Sequence, residues 1–432
     1  MTVEHPATPP QKQPLDVEDA IARVIAGVAR LGTEQIALAE ARGRVLATAV
    51  ASRVSLPPWN NSAMDGYAVR AADIASLPAH LRVTETVAAG QFPSRPVAAG
   101  EAIRIMTGAP VPEGADTVVR VEDTDAGITA VEIRLNRDAR KNVRPLGEDI
   151  LAGADALAAG VTLGPAQLGV LAAIGATAVE VFRKPRIAIL SSGDELVTPD
   201  RFDEVLAGRK IVSSNSVTLR ELVIEAGAEP VELGIAADTK ASLREHLGRA
   251  LSPPGCDLII TSGGISVGAF DYVREVLEEL GASLNFWRVR MRPGAPIGFG
   301  MLAGTPWLGL PGNPVSTMVT FELFARPAIR KMRGHSALQR ARMTVRIDAP
   351  ITLGAELTHF LRAVVTRQPD GSLSARLTGP QSSGVLSSMA LANALVVVPR
   401  GTVQVAAGTE LQAIPLGFDA EFVLPPEAAG YD

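Results

Sequence analysis

Cysteine is almost absent: the chain of 432 residues has one, Cys256. That excludes an internal disulfide and any thiolate zinc cluster, and it fits a reducing compartment. Cys256 opens an apolar run and reads as a small buried residue. The five histidines, His5, His80, His246, His335 and His359, show no metal-ligand spacing. The longest apolar run, residues 168–179, falls short of the roughly 20 residues that cross a bilayer. A basic excess is also missing. The formal net charge of -5 argues against non-specific nucleic-acid binding, which needs a basic surface to neutralise phosphates. Any anion site must therefore be local. Residues 1–14 hold four prolines and no apolar core, and read as a disordered tail rather than a signal peptide. A cytoplasmic location is expected.

What is present is apolar content, 47%, enough for several cores in a chain of this length. From Asp16 to Val50 apolar residues recur at helical spacing, first through Ala20, Ile21, Val24, Ile25 and Val28, then in a second run over 37–50. Short β-like runs broken by Gly and Pro follow to about Arg140, and a helical texture returns over 164–182. Between Pro185 and Gly334 strands alternate with helices, which predicts a parallel sheet covered on both faces. The expected helices are 217–226, 240–251, 273–280 and 315–332. After Gly334 five strand-like runs, 343–347, 360–366, 373–377, 394–398 and 411–414, predict a small β-barrel or sandwich. The fold class expected is multidomain α/β plus β. Its parts are a helical N-terminal unit (15–54 and 141–183) with an inserted β-rich module (55–140), a central three-layer α/β domain (184–335) and a C-terminal β-barrel (336–424).

Two glycine turns sit where strands give way to helices. Thr261-Ser262-Gly263-Gly264 follows the apolar strand 257–260, and Pro311-Gly312-Asn313-Pro314 follows Trp307–Leu310. Glycine lets backbone approach a ligand, and helix N-termini favour negative charge, so the pair points to a nucleotide-like or phosphorylated ligand across the strand ends. Carboxylates lie beside such turns. Asp65 stands in Asn60-Asn61-Ser62-Ala63-Met64-Asp65-Gly66-Tyr67-Ala68, as an Asx-turn cap on one reading and an oxygen ligand or base on the other. Gly147-Glu148-Asp149 follows Asn142-Val143-Arg144, and Ser191-Ser192-Gly193-Asp194-Glu195 ends the strand 187–190. Asp238 and Asp271 occupy comparable loops. Acids beside phosphate turns are reconciled by Mg2+, which bridges carboxylates to phosphates. Alternation along 286–294 predicts Arg288, Arg290 and Arg292 on one strand face, either a solvated edge or an anion site near Arg292.

Six of these motifs, in this order, resemble the molybdopterin molybdenumtransferases, a family that includes the C-terminal domain of gephyrin. They are Ser62 to Ala68, Arg104-Ile105-Met106-Thr107-Gly108-Ala109-Pro110-Val111-Pro112, Asn142 to Asp149, Ser192 to Leu196, Thr261 to Gly264 with Asp271-Tyr272, and Leu310 to Ser316. The resemblance runs from about Asp16 to Pro415. It implies Mg2+-dependent insertion of molybdate into adenylylated molybdopterin, giving molybdenum cofactor and AMP. Carried over by position, it implies catalytic roles for Asp65, Asp149, Glu195, Asp238 and Asp271, with Asp65, Glu195, Asp238 and Asp271 as metal ligands. It implies substrate binding by Thr107, Arg144, Ser192, Gly193, Asn215, Ser262, Gly263, Gly264, Ser266, Arg292, Pro311, Gly312, Asn313, Pro314 and Ser383. It further implies a homodimer with a shared active site, fed by an upstream molybdopterin adenylyltransferase.

One stretch departs from the family. Arg292-Pro293-Gly294-Ala295-Pro296 stands where many members have Lys-Pro-Gly-Lys-Pro, so Arg292 and Arg144 are expected to carry more of the oxyanion contact. Two other readings stand beside this one. Residues 185–334 also resemble the smaller molybdopterin adenylyltransferases, which lack the Asp65 and Asp149 motifs. A non-catalytic scaffold is the third, disfavoured by the intact acid set.

Overall fold

The computed structural model describes residues 13–264 and 272–417. The expected tail lies almost wholly outside the described residues, as do Ser266 and Asp271. The chain forms two compact units, Gln35–Val181 and the remainder, Met1–Glu34 with Phe182–Asp432.

Helix α1 (Val17–Gly27) buries Val17, Ala20, Ile21 and Val24, the face its spacing predicts. The second expected helical run, 37–50, does not form. It is a single 3-10 turn, Leu38–Glu40, followed by extended chain. The reason is long-range pairing: the Gly43 and Leu46 amides donate to the carbonyls of Leu163 (2.8 Å) and Val161 (3.0 Å), and Gly43 takes φ +72°, which ends any helix. Tertiary pairing outweighs the helical preference of an Ala- and Leu-rich run.

Within the unit Gln35–Val181, residues 61–144 form seven strands: β1 (Asn61–Ser62), β2 (Gly66–Val69), β3 (Ala79–Val87), β4 (Glu101–Ile105), β5 (Thr117–Arg120), β6 (Ala130–Ile133) and β7 (Val143–Arg144). Five of them make one sheet in the order β5-β2-β4-β3-β6, and β1 pairs with β7. Alternate residues fill two cores. Tyr67, Val69, Val119 and Val131 face one side; Ala68, Ile103, Ile105 and Val118 face the other. Gly66 is required by contact rather than by torsion, because a Cβ there would sit 1.9 Å from the Val119 carbonyl oxygen of the neighbouring strand. Gly66→Ala is expected to cost about 1–3 kcal/mol by forcing the strands apart, seen as a lowered denaturation midpoint. The returning helical texture resolves into α2 (Pro165–Ala173) and, past Gly175, a strand at Ala178–Phe182.

In the other unit a six-stranded sheet runs β9-β8-β10-β13-β12-β11. Its members are β8 (Arg186–Ser192), β9 (Glu229–Ala236), β10 (Leu258–Ser262), β11 (Ser283–Phe286), β12 (Gly298–Leu302) and β13 (Thr305–Leu310). The first four in that order are parallel, and an antiparallel pair extends the edge. Helices cover both faces. Ile187 and Ile189 pack with α1, α3 (Ser214–Glu225), α6 (Pro314–Thr320) and α7 (Arg326–Met332). Ala188 and Leu190 pack with α4 (Lys240–Leu251) and α5 (Tyr272–Glu279). Burial on both faces explains why β8 reads as a continuous apolar run.

The arginine stripe is corrected by this sheet. Strand β11 stops at Phe286, and 288–292 do not continue it. Leu15 pairs there instead, donating from its amide to the Arg288 carbonyl (3.1 Å) and accepting from the Arg290 amide (2.8 Å). Arg290 is drawn to Asp16 (3.4 Å). Arg288 and Arg290 lie outside regular strands, and Arg292 belongs to a separate short strand, Met291–Arg292, that pairs with Thr358–His359, so the three do not lie along one strand.

Five strands close a barrel at the C-terminal end: β14 (Met343–Ile347), β15 (Thr358–Arg367), β16 (Leu373–Leu377), β17 (Ala394–Val398) and β18 (Glu410–Pro415). The circuit is β15-β16-β14-β18-β17 and back to β15. Closure removes exposed sheet edges, and Val345, Leu361, Ala363, Val365, Val396 and Val398 fill the interior.

Candidate active site

Strands β8, β10 and β13 end side by side, where open α/β sheets take their ligands. A cavity of about 550 Å³ opens there. The turn after β8 supplies Ser192, Gly193 and Glu195, and the loop after β9 supplies Asp238. The turn after β10 supplies Ser262, Gly263 and Gly264; the turn after β13 supplies Pro311, Gly312, Asn313 and Pro314. Gly263 has φ +91°, and a Cβ on it would lie 2.8 Å from the Ser192 carbonyl oxygen. Gly264 has φ +62°. Only glycine fits both positions without strain, which brings bare backbone to the cavity wall.

Asn215 ties the two glycine turns together. Its Nδ2 donates to Ser262 Oγ and to the Gly312 carbonyl, both at 2.8 Å, and Thr317 Oγ1 donates to the Pro311 carbonyl at 2.6 Å. Among the described residues two buried polar atoms of this wall, Ser192 Oγ and Asn215 Oδ1, have no partner. Buried polar atoms are nearly always paired, so these two fit contact with a bound polar group.

Some of the site was not read from the sequence. Helix α3 starts at Ser214, not Val217, so its first turn reaches the cavity. Beneath it Ser191, Ser213 and Ser216 join their hydroxyls, with Ser191 to Ser216 at 3.0 Å, Ser213 to Ser191 at 3.3 Å and Ser213 to Ser216 at 2.7 Å. The signal was available in Ser213-Ser214-Asn215-Ser216, a run of helix-starting residues.

A second cavity, about 700 Å³, shares Pro296, Pro311 and Asn313 with the first. Arg292 and Ser383 line it, as do Arg362 and His359. Among the described residues its walls contain two arginines and no acid. The Ser383 carbonyl accepts from the Val315 amide at 3.1 Å, so the first turn of α6 is already engaged by the barrel domain.

The remaining expected residues lie in the unit Gln35–Val181. Asp65 Oδ1 accepts from both the amide and the hydroxyl of Thr107, each at 2.7 Å. The Thr107 amide first and its hydroxyl second hold the Asp65 carboxyl below its ordinary range, so it is ionised at neutral pH. Arg144 pairs with Asn61 in the β1–β7 ladder, and the Ala63 amide donates to the Asn142 carbonyl at 2.9 Å. The two motifs thus meet on one side of this unit. Asp149 is exposed, its amide bound to the Leu56 carbonyl at 3.0 Å. Among the described residues, no three His, Cys, Asp or Glu side chains are gathered as a metal cluster.

Geometry and sequence relationships agree. Residues 15–175 match the MoeA N-terminal region (domain I and II), 188–331 a probable molybdopterin binding domain, and 344–416 the MoeA C-terminal region (domain IV). The chain is 39% identical over 386 residues to molybdopterin molybdenumtransferase 2 of Mycobacterium tuberculosis (strain H37Rv), covering 87% of this chain and 93% of that one. It is 38% identical over 393 residues to the molybdopterin molybdenumtransferase of Nostoc sp. (strain PCC 7120), covering 89% of each. The crystal structure of a molybdopterin biosynthesis MoeA protein from Pyrococcus horikoshii OT3 superimposes with a TM-score of 0.81 at 26% identity, covering 94% of this chain and all of that one. Fold and site define a multidomain transferase built around a three-layer α/β domain and closed by a β-barrel. The chain belongs to the molybdopterin molybdenumtransferase family.

Proposed function

We propose that this chain inserts molybdate into adenylylated molybdopterin in the presence of Mg2+, releasing molybdenum cofactor and AMP. The observation that carries the reading is the first cavity, where two glycine turns, two carboxylates and, among the described residues, two unpaired buried polar atoms, Ser192 Oγ and Asn215 Oδ1, line one space. Gly263, Gly264 and the Pro311–Pro314 turn bring backbone to the phosphates of the substrate, and the first turn of α3 adds its N-terminal polarity. Glu195 and Asp238 fit Mg2+, which binds through one or two carboxylate oxygens together with substrate phosphates. When bound, the cation neutralises charge that develops on the phosphate oxygens as the anhydride opens.

The second cavity suits molybdate, because Arg292 is exposed on its wall and no acid among the described residues lines it. Water cleaves the phosphoanhydride and AMP departs with its phosphate. Both dithiolene sulfurs bond to molybdenum as their two thiol protons pass to one oxide, which leaves as water. Asp65, Thr107, Arg144 and Asp149 are assigned to the same reaction. The domain boundaries 15–54 with 141–183, 55–140, 184–335 and 336–424 are part of this reading. So are a cytoplasmic homodimer and supply by a molybdopterin adenylyltransferase.

Purified protein given adenylylated molybdopterin and Mg2+ tests the reading. Molybdate-dependent AMP release, with a product that reconstitutes an apo-molybdoenzyme, supports it; no release with any oxyanion refutes it. Within that assay Arg292→Ala is expected to raise KM for molybdate roughly tenfold, the loss of one charge-assisted contact. An unchanged KM would remove Arg292 from the oxyanion seat.

A further inference from the structure

Asp194 stands between Gly193 and Glu195, and its amide, its carbonyl and its Oδ1 each cross from one loop to another. Its amide donates to Asp238 Oδ2 at 3.2 Å, and the Asp238 amide donates back to Asp194 Oδ1 at 3.1 Å. Its carbonyl accepts from the Lys210 ammonium. Lys210 lies on the returning arm of the excursion that leaves β8 at Gly193 and reaches α3 after Ser213. The base of that excursion is held by two backbone bonds, Ile211 to the Glu195 carbonyl and Ser213 to the Val197 carbonyl, both at 2.8 Å. One residue therefore joins three pieces of chain that line the first cavity: the turn carrying Glu195, the loop carrying Asp238, and the returning arm.

The arrangement has a chemical consequence. Two carboxylates close to one another repel, yet here each accepts a hydrogen bond from the other residue's amide, so the loops are drawn together despite the charges. Asp238 Oδ2 is oriented by the Asp194 amide. Asp194 Oδ1 is directed at the Asp238 amide, so this oxygen fastens the loop that presents Asp238.

We propose that Asp194 is a positioning residue: its reciprocal bonds with Asp238, together with its carbonyl bond to Lys210, set the relative placement of Glu195 and Asp238 across the cavity. The role needs an acceptor at Oδ1 and does not need the negative charge. It rests on the proposed reaction for its catalytic consequence, but not for its structural one.

Three substitutions and two readouts separate the possibilities. Asp194→Asn keeps an acceptor oxygen, Asp194→Ala removes it, and Lys210→Met removes the third fastening. Hydrogen exchange by mass spectrometry, followed in peptides covering 193–213 and 237–243, reads the clasp without reference to activity. Asp194→Ala is expected to speed exchange in both peptides, Lys210→Met in the first, and Asp194→Asn in neither. AMP release then reads the consequence: Asp194→Ala falls by about 10- to 100-fold with a raised half-saturating Mg2+ concentration, the range for residues that orient a ligand, while Asp194→Asn stays within about threefold of the parent. Unchanged exchange in Asp194→Ala overturns the proposal. So does Asp194→Asn that exchanges normally but is as slow as Asp194→Ala, since the charge itself would then be acting on substrate or cation. If the parent protein releases no AMP, the exchange pattern still decides the clasp and the reaction assignment alone fails.

Discussion

Glu195→Gln and Asp238→Asn should each slow molybdate-dependent AMP release by roughly 10²–10³-fold while leaving the melting temperature unchanged. Both changes are isosteric. Glu195 is exposed and Asp238 half-buried, so neither holds a core together. Asn at 238 keeps an oxygen for the Asp194 amide, which at present donates to Asp238 Oδ2. What each variant removes is one negative charge from the cavity that holds the glycine turns. A cation held by those charges contributes several kcal/mol to phosphoryl chemistry, and each 1.36 kcal/mol is about tenfold in rate. Raising Mg2+ should recover part of the loss in either single variant. Rates within threefold of the parent would remove these two carboxylates from the cation site.

The order of the fold was legible wherever a segment is buried on both faces or alternates regularly. Helix Lys240–Leu251 and strands Leu373–Leu377 and Ala394–Val398 fall at the expected residues because their apolar spacing has one interpretation. The edge hairpin of the α/β sheet was not legible. Its strand Gly298–Leu302 contains Gly298 and Gly300, which hide strand character. Those glycines are there because a Cβ would lie 2.9 Å from the Trp307 ring or 2.5 Å from the Ser283 carbonyl. The run 37–50 misled for the opposite reason, since its composition is helical but its long-range backbone partners lie more than 100 residues away.

The site divides along the same line. Glycine turns announce themselves by composition, and the carboxylates beside them can be named one by one. What cannot be read is which carboxylate faces which. The Asp194–Asp238 clasp spans 44 residues, and nothing local to Asp194 distinguishes it from Glu195 beside it. Asp65 and Thr107, 42 residues apart, are likewise joined only by folding. Motif order locates the pieces, and long-range hydrogen bonds decide their roles.

Arg362 shows how large such an unread contribution is, and Arg362→Ala is expected to be the most destabilising of the changes considered. The residue is 0% exposed. Its guanidinium donates to Ser388 Oγ (2.9 Å) and to the carbonyls of Gln381 (3.2 Å), Pro380 (2.9 Å) and Ser382 (3.0 Å). No carboxylate among the described residues pairs with it, so the charge is solvated by backbone oxygens. Truncation leaves three carbonyls without these donors and opens a void in the barrel wall, a loss of roughly 3–5 kcal/mol. Calorimetry should show the barrel transition falling by about 10 °C or more. Arg362→Lys keeps the charge but not the planar fork that reaches several acceptors at once, and should recover less than half of the loss. The effect should also spread beyond the barrel. The 380–383 loop ends at the Ser383 carbonyl, which accepts the Val315 amide. Freed from Arg362, that loop should let the Val315 amide exchange faster. It should also raise KM for molybdate by loosening Gln381, Ser382 and Ser383 on the wall of the second cavity. Normal melting together with unchanged Val315 exchange would show that the loop is held by the rest of the barrel and that Arg362 acts only as a charge.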